Sequence, residues 1–219
     1  MKHLERFKKL MRLAEDLVWI EKNLTKRFKL RFDQVDMIYL SQEELQKIKN
    51  QKFKRDTHKI NRDIFLFCCY TGLPYGDVKD LKKKHIQIGV DGKTLIYTRR
   101  IKTNKMLRIP LLEEAERILE KYQDHPKVHS SDILFRVHSN QKTNQYLREV
   151  TKAVKINKEL SFHSARHTFA TTVILANGVP IETLSKLLGH TKLSTTQIYA
   201  MVVDSKISHD LYILRNGLK

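Results

Sequence analysis

Cysteine, proline, glycine and acidic residues are all scarce in this chain of 219 residues, and each shortage excludes something. The two cysteines, Cys68 and Cys69, are adjacent, so they cannot build a disulfide framework and suit a reducing compartment. Four prolines and seven glycines leave room for long helices. The longest apolar run, Ile64 to Tyr70, is far shorter than the roughly 20 residues that cross a bilayer. Lys, Arg and Glu stud the first twenty residues, which excludes the apolar stretch of a secretory leader there. Acids number 24 against 42 Lys plus Arg, a formal charge of +18. Such an excess points to a polyanionic partner, because cations that neutralise phosphates supply most non-specific nucleic-acid affinity. Charge alone names no activity.

What is present is enough for a core. Hydrophobic residues make up 41 %, which rules out a wholly disordered chain, and the length suits one good-sized domain with an appended piece. Leu4, Phe7, Leu10, Met11, Ala14, Leu17 and Val18 recur at helical spacing over residues 3–20. A basic stretch from Lys22 to Phe32 follows. These read as the end of a larger N-terminal module and a tether, making the chain the C-terminal portion of something longer. The main domain is expected from Met37 onward. Ser41 and Glu44 form a capping box for a helix to Asn50, and a second helix spans His58–Thr71 and stops at Gly72. His85–Val90 and Lys93–Arg100, joined by Asp91-Gly92, predict a hairpin, with Leu107–Pro110 as a third strand. Helices are expected over Leu112–Tyr122, Asn140–Lys155, Phe162–Asn177 and Pro180–Leu188. An S-x-x-Q box, Ser194 and Gln197, opens another, and Ser205–Leu214 forms an amphipathic last helix. The predicted fold is mainly α with a small three-stranded antiparallel β-sheet.

Chemistry concentrates between Ser161 and Ala200. His163 and Arg166 are three apart and share a helix face. Gly189 ends a helix with His190 in the turn, and Tyr199 follows nine residues later. A tyrosine hydroxyl attacking a DNA phosphodiester leaves a 3′-phosphotyrosyl link and a free 5′-hydroxyl, conserving the bond energy. Arg or protonated His donors stabilise the charge that gathers on the non-bridging oxygens, and a Lys or His protonates the leaving oxygen. Cationic side chains then do the work of a metal, so no cofactor is expected. His163, His167 and His190 could instead ligate zinc, but a zincin helix wants Glu beside the first His, where Ser164 stands. His167 reads as a hydrogen-bonded structural histidine.

This pattern resembles the tyrosine recombinase (phage integrase) family, in its H-x-x-R box (His163, Arg166), its L-G-H box (Leu188-Gly189-His190) and its nucleophile (Tyr199). Thr71-Gly72-Leu73 with Asp77 and Leu81 looks like the family's first box. Lys102 falls where its sheet lysine belongs, with Lys105 the competitor. The wording of the first box resembles integrases of Bacteroides-type conjugative or mobilizable elements. One departure stands out: the family's first-box arginine is replaced by Pro74. Arg100, two residues before Lys102 and so on the same face of a strand, is expected to supply the missing guanidinium, and Arg99, facing the other way, is the less favoured substitute. Asp77 would orient a neighbouring cation.

The resemblance implies a site-specific recombinase that cleaves and rejoins DNA without metal or ATP, using Tyr199, Arg166, His163, His190, Lys102 and Arg100. Lys82, Lys83, Lys84, Arg99 and Lys105 would contact DNA, the lysine run being otherwise a solvated face. Residues 1–36 would be the last helix of a truncated core-binding domain plus linker, and 37–219 the catalytic domain. The implied partners are double-stranded DNA attachment sites, a tetrameric synaptic complex of the full-length protein, and accessory DNA-bending or directionality factors, with no membrane. The implied location is the bacterial cytoplasm, at the nucleoid. A catalytically impaired DNA-binding relative and a type IB topoisomerase-like enzyme are the alternatives.

Overall fold

The computed structural model describes residues 2–29, 37–123 and 132–200, in two units, Met1–Asp36 and Met37–Lys219. The amphipathic helix expected over Ser205–Leu214 lies outside the described residues.

In the first unit, helix α1 (Lys2–Asp16) ends before the expected Ile20. Val18 turns left-handed at φ 59°, and the amides of Val18 and Trp19 donate back to Glu15 and Ala14. This is a helix close normally given to glycine. Leu4, Phe7, Leu10 and Leu13 of its apolar stripe are exposed. A short 3₁₀ turn, Leu24–Arg27, is capped by the Asn23 side chain and tied to α1 by the Lys26–Glu15 ion pair at 2.7 Å.

The second unit is mostly helical around one three-stranded sheet. Helix α2 (Gln42–Asn50) carries the Ser41/Glu44 capping box, and α3 (Asp56–Thr71) buries its whole apolar run and closes at Gly72, φ +69°. After the short α4 (Tyr75–Lys79) come β1 (Ile86–Ile88), β2 (Thr94–Arg99) and β3 (Met106–Pro110), antiparallel in that order. Ile96 pairs with Ile86 on one side and Ile109 on the other, so one face of the sheet reaches the core. Then follow α5 (Glu113–Gln123), α6 (Asn140–Ala153), α7 (Phe162–Thr168), α8 (Ile181–Leu188) and α9 (Ser194–Ala200). Helix α3 is the central member, packed by α5, α6 and α7. On α3 the buried carboxylate of Asp63 takes Arg62, Lys121 and the Tyr122 hydroxyl, the first at 2.7 Å and the last at 2.9 Å.

Two elements differ from the sequence reading. The helix expected to run unbroken to Asn177 instead widens into a π-helical stretch, Phe169–Ile174, and finishes as a 3₁₀ turn, Leu175–Asn177. The hydroxyls of Thr168 and Thr171 bond back to the carbonyls of Ser164 and His167, each at 2.8 Å, a competition that bends helices. Helix α9 begins at Ser194 rather than after it, because the Thr196 and Gln197 amides donate to Leu193. A second core cluster, Phe169, Ala170, Ile174, Leu175, Leu184, Leu188 and Tyr199, joins α8 and α9 to this widened helix.

Candidate active site

Two glycine turns aim backbone carbonyls into one pocket. At the end of α3, Gly72 needs its left-handed φ, and a Cβ there would stand 2.5 Å from Phe169. At the end of α8, Gly189 (φ +64°) approaches so closely that a Cβ would meet Leu107 at 2.6 Å. The two buried carbonyls, Gly72 O and Leu188 O, accept from Arg166 at 2.7 and 2.6 Å. Arg100 donates to the same Leu188 O at 3.0 Å. Two guanidinium groups therefore converge on one acceptor.

Arg166 is 3 % exposed, and burial first, then the Arg100 charge, lowers its pKa to about 10. It stays cationic at neutral pH. Asp77, buried on α4, faces the Arg100 Nε at 3.1 Å as an ion pair without an aligned hydrogen bond, and accepts from the Ile101 amide at 3.1 Å. Burial raises the Asp77 pKa despite both contacts. Pro74, where the family's first arginine was expected, caps α4, and Arg100 reaches the pocket from the sheet side. Strand alternation, the expected reason, is not what places it there: β2 ends at Arg99, so Arg100 and Lys102 lie in the connection to β3. That connection is closed by Arg100 N–H to Lys105 O and Asn104 N–H to Arg100 O, both 2.8 Å.

Burial and neighbouring charges push the three site histidines toward their neutral forms. His190 Nε2 lies 3.1 Å from Arg166 Nη2, which can only donate, so Nε2 accepts and Nδ1 carries the proton, given to Thr196 Oγ1 at 2.8 Å. Burial and the charges of Arg166, Arg100 and Lys105 lower its pKa to about 4. The expectation of a protonated His donor therefore does not describe His190 in this state. His163 is exposed, with its ring 4.4 Å from that of His167; partial burial, then Arg166, Arg100 and Lys102, lower its pKa. Lys102 is exposed. His167 departs from the hydrogen-bonded reading: its Nδ1 is buried with no partner among the described residues, and its pKa falls to about 4. The lost bond is replaced by ring contacts, since His167 lies between the His163 ring and the Tyr199 ring, the latter at 5.6 Å.

Tyr199 is 3 % exposed; its ring runs nearly parallel to that of His190, 6.5 Å away. Burial raises its pKa, while Arg166 and Arg100 pull it back. Five of the six candidate catalytic residues therefore come together, with Arg166, Arg100, His190 and Tyr199 innermost and His163 at the rim, while Lys102 lies exposed in the β2–β3 connection. Of the candidate DNA contacts, Lys105 Nζ donates to His190 O at 2.7 Å, on the same rim. Arg99, exposed, donates to Asn104 O at 3.2 Å rather than to either pocket carbonyl. With Lys82, Lys84, His85, Tyr97 and Met106 it lines a cavity of about 420 Å³ whose wall also includes Asp77 and Ile101, and Lys83 is exposed. Sequence reasoning missed the two carbonyls and Thr196. For the carbonyls, the glycines at the helix ends were the one signal, since the carbonyls of a helix's last turn have no partner within the helix. Among the described residues no group of three or more His, Cys, Asp or Glu is placed to hold a metal, and no helix is long and apolar enough to cross a membrane.

Similarity to known proteins covers most of the chain. Residues 30–206 match the model of the phage integrase family. The tyrosine recombinase XerD of Halalkalibacterium halodurans is 30 % identical over 184 residues, covering 79 % of this chain and 60 % of that protein. XerC of Caldanaerobacter subterraneus is 34 % identical, over 78 % of this chain and 49 % of that one. The chain thus spans about half the length of the curated relatives it matches. Among solved structures, a lambda integrase dimer bound to a core site superposes with a TM-score of 0.70 at 19 % identity, covering 88 % of this chain and 69 % of that one. The XerA recombinase gives 0.65 at 24 %, covering 98 % and 82 %. At these identities the superpositions establish a shared fold, mostly helical with its small antiparallel sheet. With four-fifths of its length matched by the family model, the chain belongs to the phage integrase family.

Proposed function

We propose that this chain is the catalytic part of a site-specific tyrosine recombinase, an integrase of a mobile element, possessing full cleavage chemistry although Pro74 replaces the expected arginine. The observation that carries the reading is the convergence of Arg100 and Arg166 on one carbonyl beside Tyr199 and His190. A phosphodiester entering the pocket takes the place of Leu188 O as the acceptor for both guanidiniums. Tyr199 Oη then attacks phosphorus and the P–O5′ bond breaks, leaving a 3′-phosphotyrosyl bond and a 5′-hydroxyl. Arg166, Arg100 and His190 stabilise the pentavalent charge, neutral His163 stands ready to take a proton, and Lys102 protonates the departing oxygen. Rejoining runs the same steps backwards, so neither ATP nor a metal enters the balance.

Duplex DNA attachment sites are the substrate, with Lys82, Lys83, Lys84, Arg99 and Lys105 against the backbone. The Tn1549 transposon integrase, solved with circular intermediate DNA, shares the fold at a TM-score of 0.67. That supports a transposon setting without fixing a Bacteroides-type one. Residues 1–36 serve as the last helix and tether of a core-binding domain, and the full-length protein works as a tetramer at the nucleoid with accessory bending or directionality factors. The test is covalent trapping on a nicked suicide duplex carrying the element's own end, with EDTA present, resolved on a denaturing gel. An adduct that vanishes in Tyr199→Phe supports the reading; bound DNA with no adduct from the full-length protein leaves a DNA-binding relative.

A further inference from the structure

The chain enters the catalytic unit through residues 37–40, and that short segment is held largely by hydroxyls of the helix that carries Arg166. Leu40 is fully buried; its amide donates to Thr168 Oγ1 at 3.0 Å, and its carbonyl accepts from Thr172 Oγ1. Thr168 Oγ1 in turn donates to Ser164 O at 2.8 Å, so one hydroxyl bridges Leu40 to the single helical turn, 164–168, that contains Arg166. Thr168 immediately precedes the π-helical stretch and Thr172 lies within it, a feature that recurs at functional sites. Lys158 holds Tyr39 O at 3.0 Å from the other side, and Met37 packs on the cluster that includes Leu188 and Tyr199.

We propose that Thr168 and Thr172 are positioning residues: through Leu40 they tie the incoming segment to the turn bearing Arg166, so that the register of residues 37–40 sets the geometry of the arginine pocket. Neither hydroxyl bonds to a candidate catalytic side chain. Apart from the Cys69 thiol beside Thr168 and the Thr171 hydroxyl beside Thr172, their partners are backbone groups, which is what a mechanical link requires. Displacing Leu40 moves the Thr168 oxygen, and that oxygen is fixed to the carbonyl two residues before Arg166. Force on the chain ahead of Met37 therefore reaches the pocket without passing through DNA. The link acts on the pocket whether or not the recombinase reading holds, and its test uses no DNA.

The test compares Thr168→Val and Thr172→Val with Thr168→Ser and Thr172→Ser in the full chain, reading His190 ring nitrogens by ¹⁵N NMR and unfolding by circular dichroism. In the wild type, donation from Arg166 fixes His190 as a single Nδ1–H tautomer. The valine variants are expected to lose that single pattern and show averaged ring signals, and the serine variants to restore it. Valine variants that unfold at lower temperature yet keep the wild-type His190 pattern would make the threonines merely structural and overturn the proposal. Should Thr168→Val not fold, Thr172→Val decides, since the bond it removes is a donor to the Leu40 carbonyl.

Discussion

Arg100 and Arg166 donate to one and the same carbonyl, Leu188 O, at 3.0 and 2.6 Å. Like charges do not gather on a neutral acceptor without a scaffold that forces them. Here the scaffold is a buried Asp77 beside one, Gly72 O under the other, and a glycine turn presenting the acceptor. The arrangement resembles an anion hole with a backbone oxygen as its resident.

Arg100 should therefore carry a share of cleavage that Arg99 does not. Arg100→Ala is expected to slow single-turnover adduct formation by roughly 10²–10³-fold, the usual loss of one transition-state donor. Arg99→Ala should leave the rate close to wild type and weaken DNA binding alone. Equal losses in the two variants would remove Arg100 from the pocket chemistry.

Anions should bring a proton with them. Burial first, then the charges of Arg166, Arg100 and Lys105, disfavour the charged form of His190, and a negative charge in the pocket favours it. Calorimetry with orthovanadate in two buffers of different ionisation enthalpy should show proton uptake near neutral pH. Uptake should shrink in His190→Asn. Binding with no uptake in the wild type would mean that His190 stays an acceptor.

Acid should destabilise the folded chain well before its carboxylates protonate. His167 and His190 have folded pKa values of about 4, against 6.5 for a free side chain. As pH falls through 6.5 the unfolded chain binds protons that the folded one refuses, so stability is complete above that point and declines down to about 4. Urea midpoints measured across this range should fall with pH, and His167→Asn should flatten the decline. A midpoint unchanged between neutrality and about pH 5 would contradict this assignment.

Glycine turns at the pocket should tolerate no side chain. Gly189→Ala meets both a left-handed φ and a Cβ contact at 2.6 Å, whereas Gly92→Ala in the β1–β2 hairpin meets a φ of +73° and open space. Backbone strain alone costs on the order of 1–3 kcal/mol, so both should unfold earlier, Gly189→Ala by more. Chemical denaturation separates them, and only Gly189→Ala should also lose adduct formation.

Away from the pocket, Asp63→Ala removes the buried carboxylate that Arg62, Lys121 and the Tyr122 hydroxyl share, and should cost about 3 kcal/mol of stability. Adduct formation per folded molecule should be unaffected. A selective loss of cleavage would tie this network to the chemistry.

Much of this architecture is legible in the sequence because it is local. The Ser41/Glu44 capping box, the glycines that close α3 and α8, and the Asp91-Gly92 hairpin each declare themselves within a few residues. What escaped is what tertiary contact decides. The π-helical widening depends on hydroxyl bonds to Ser164, His167 and the distant Leu40. The tautomer of His190 depends on Arg166 and Thr196 approaching from two helices, α7 and α9. Strand alternation pointed to Arg100, yet the strand ends at Arg99; the side chain turns inward because Asp77 draws it there.

The acceptor at the centre of the pocket belongs to the main chain. No substitution at position 188 can delete it: a new residue there alters bulk and packing but keeps the same oxygen. The shared acceptor of the two arginines is thus encoded in the shape of a turn rather than in any side chain. Only a change that reshapes that turn, such as filling Gly189, can erase it, which makes this part of the site tolerant of amino-acid drift and intolerant of a single methyl group.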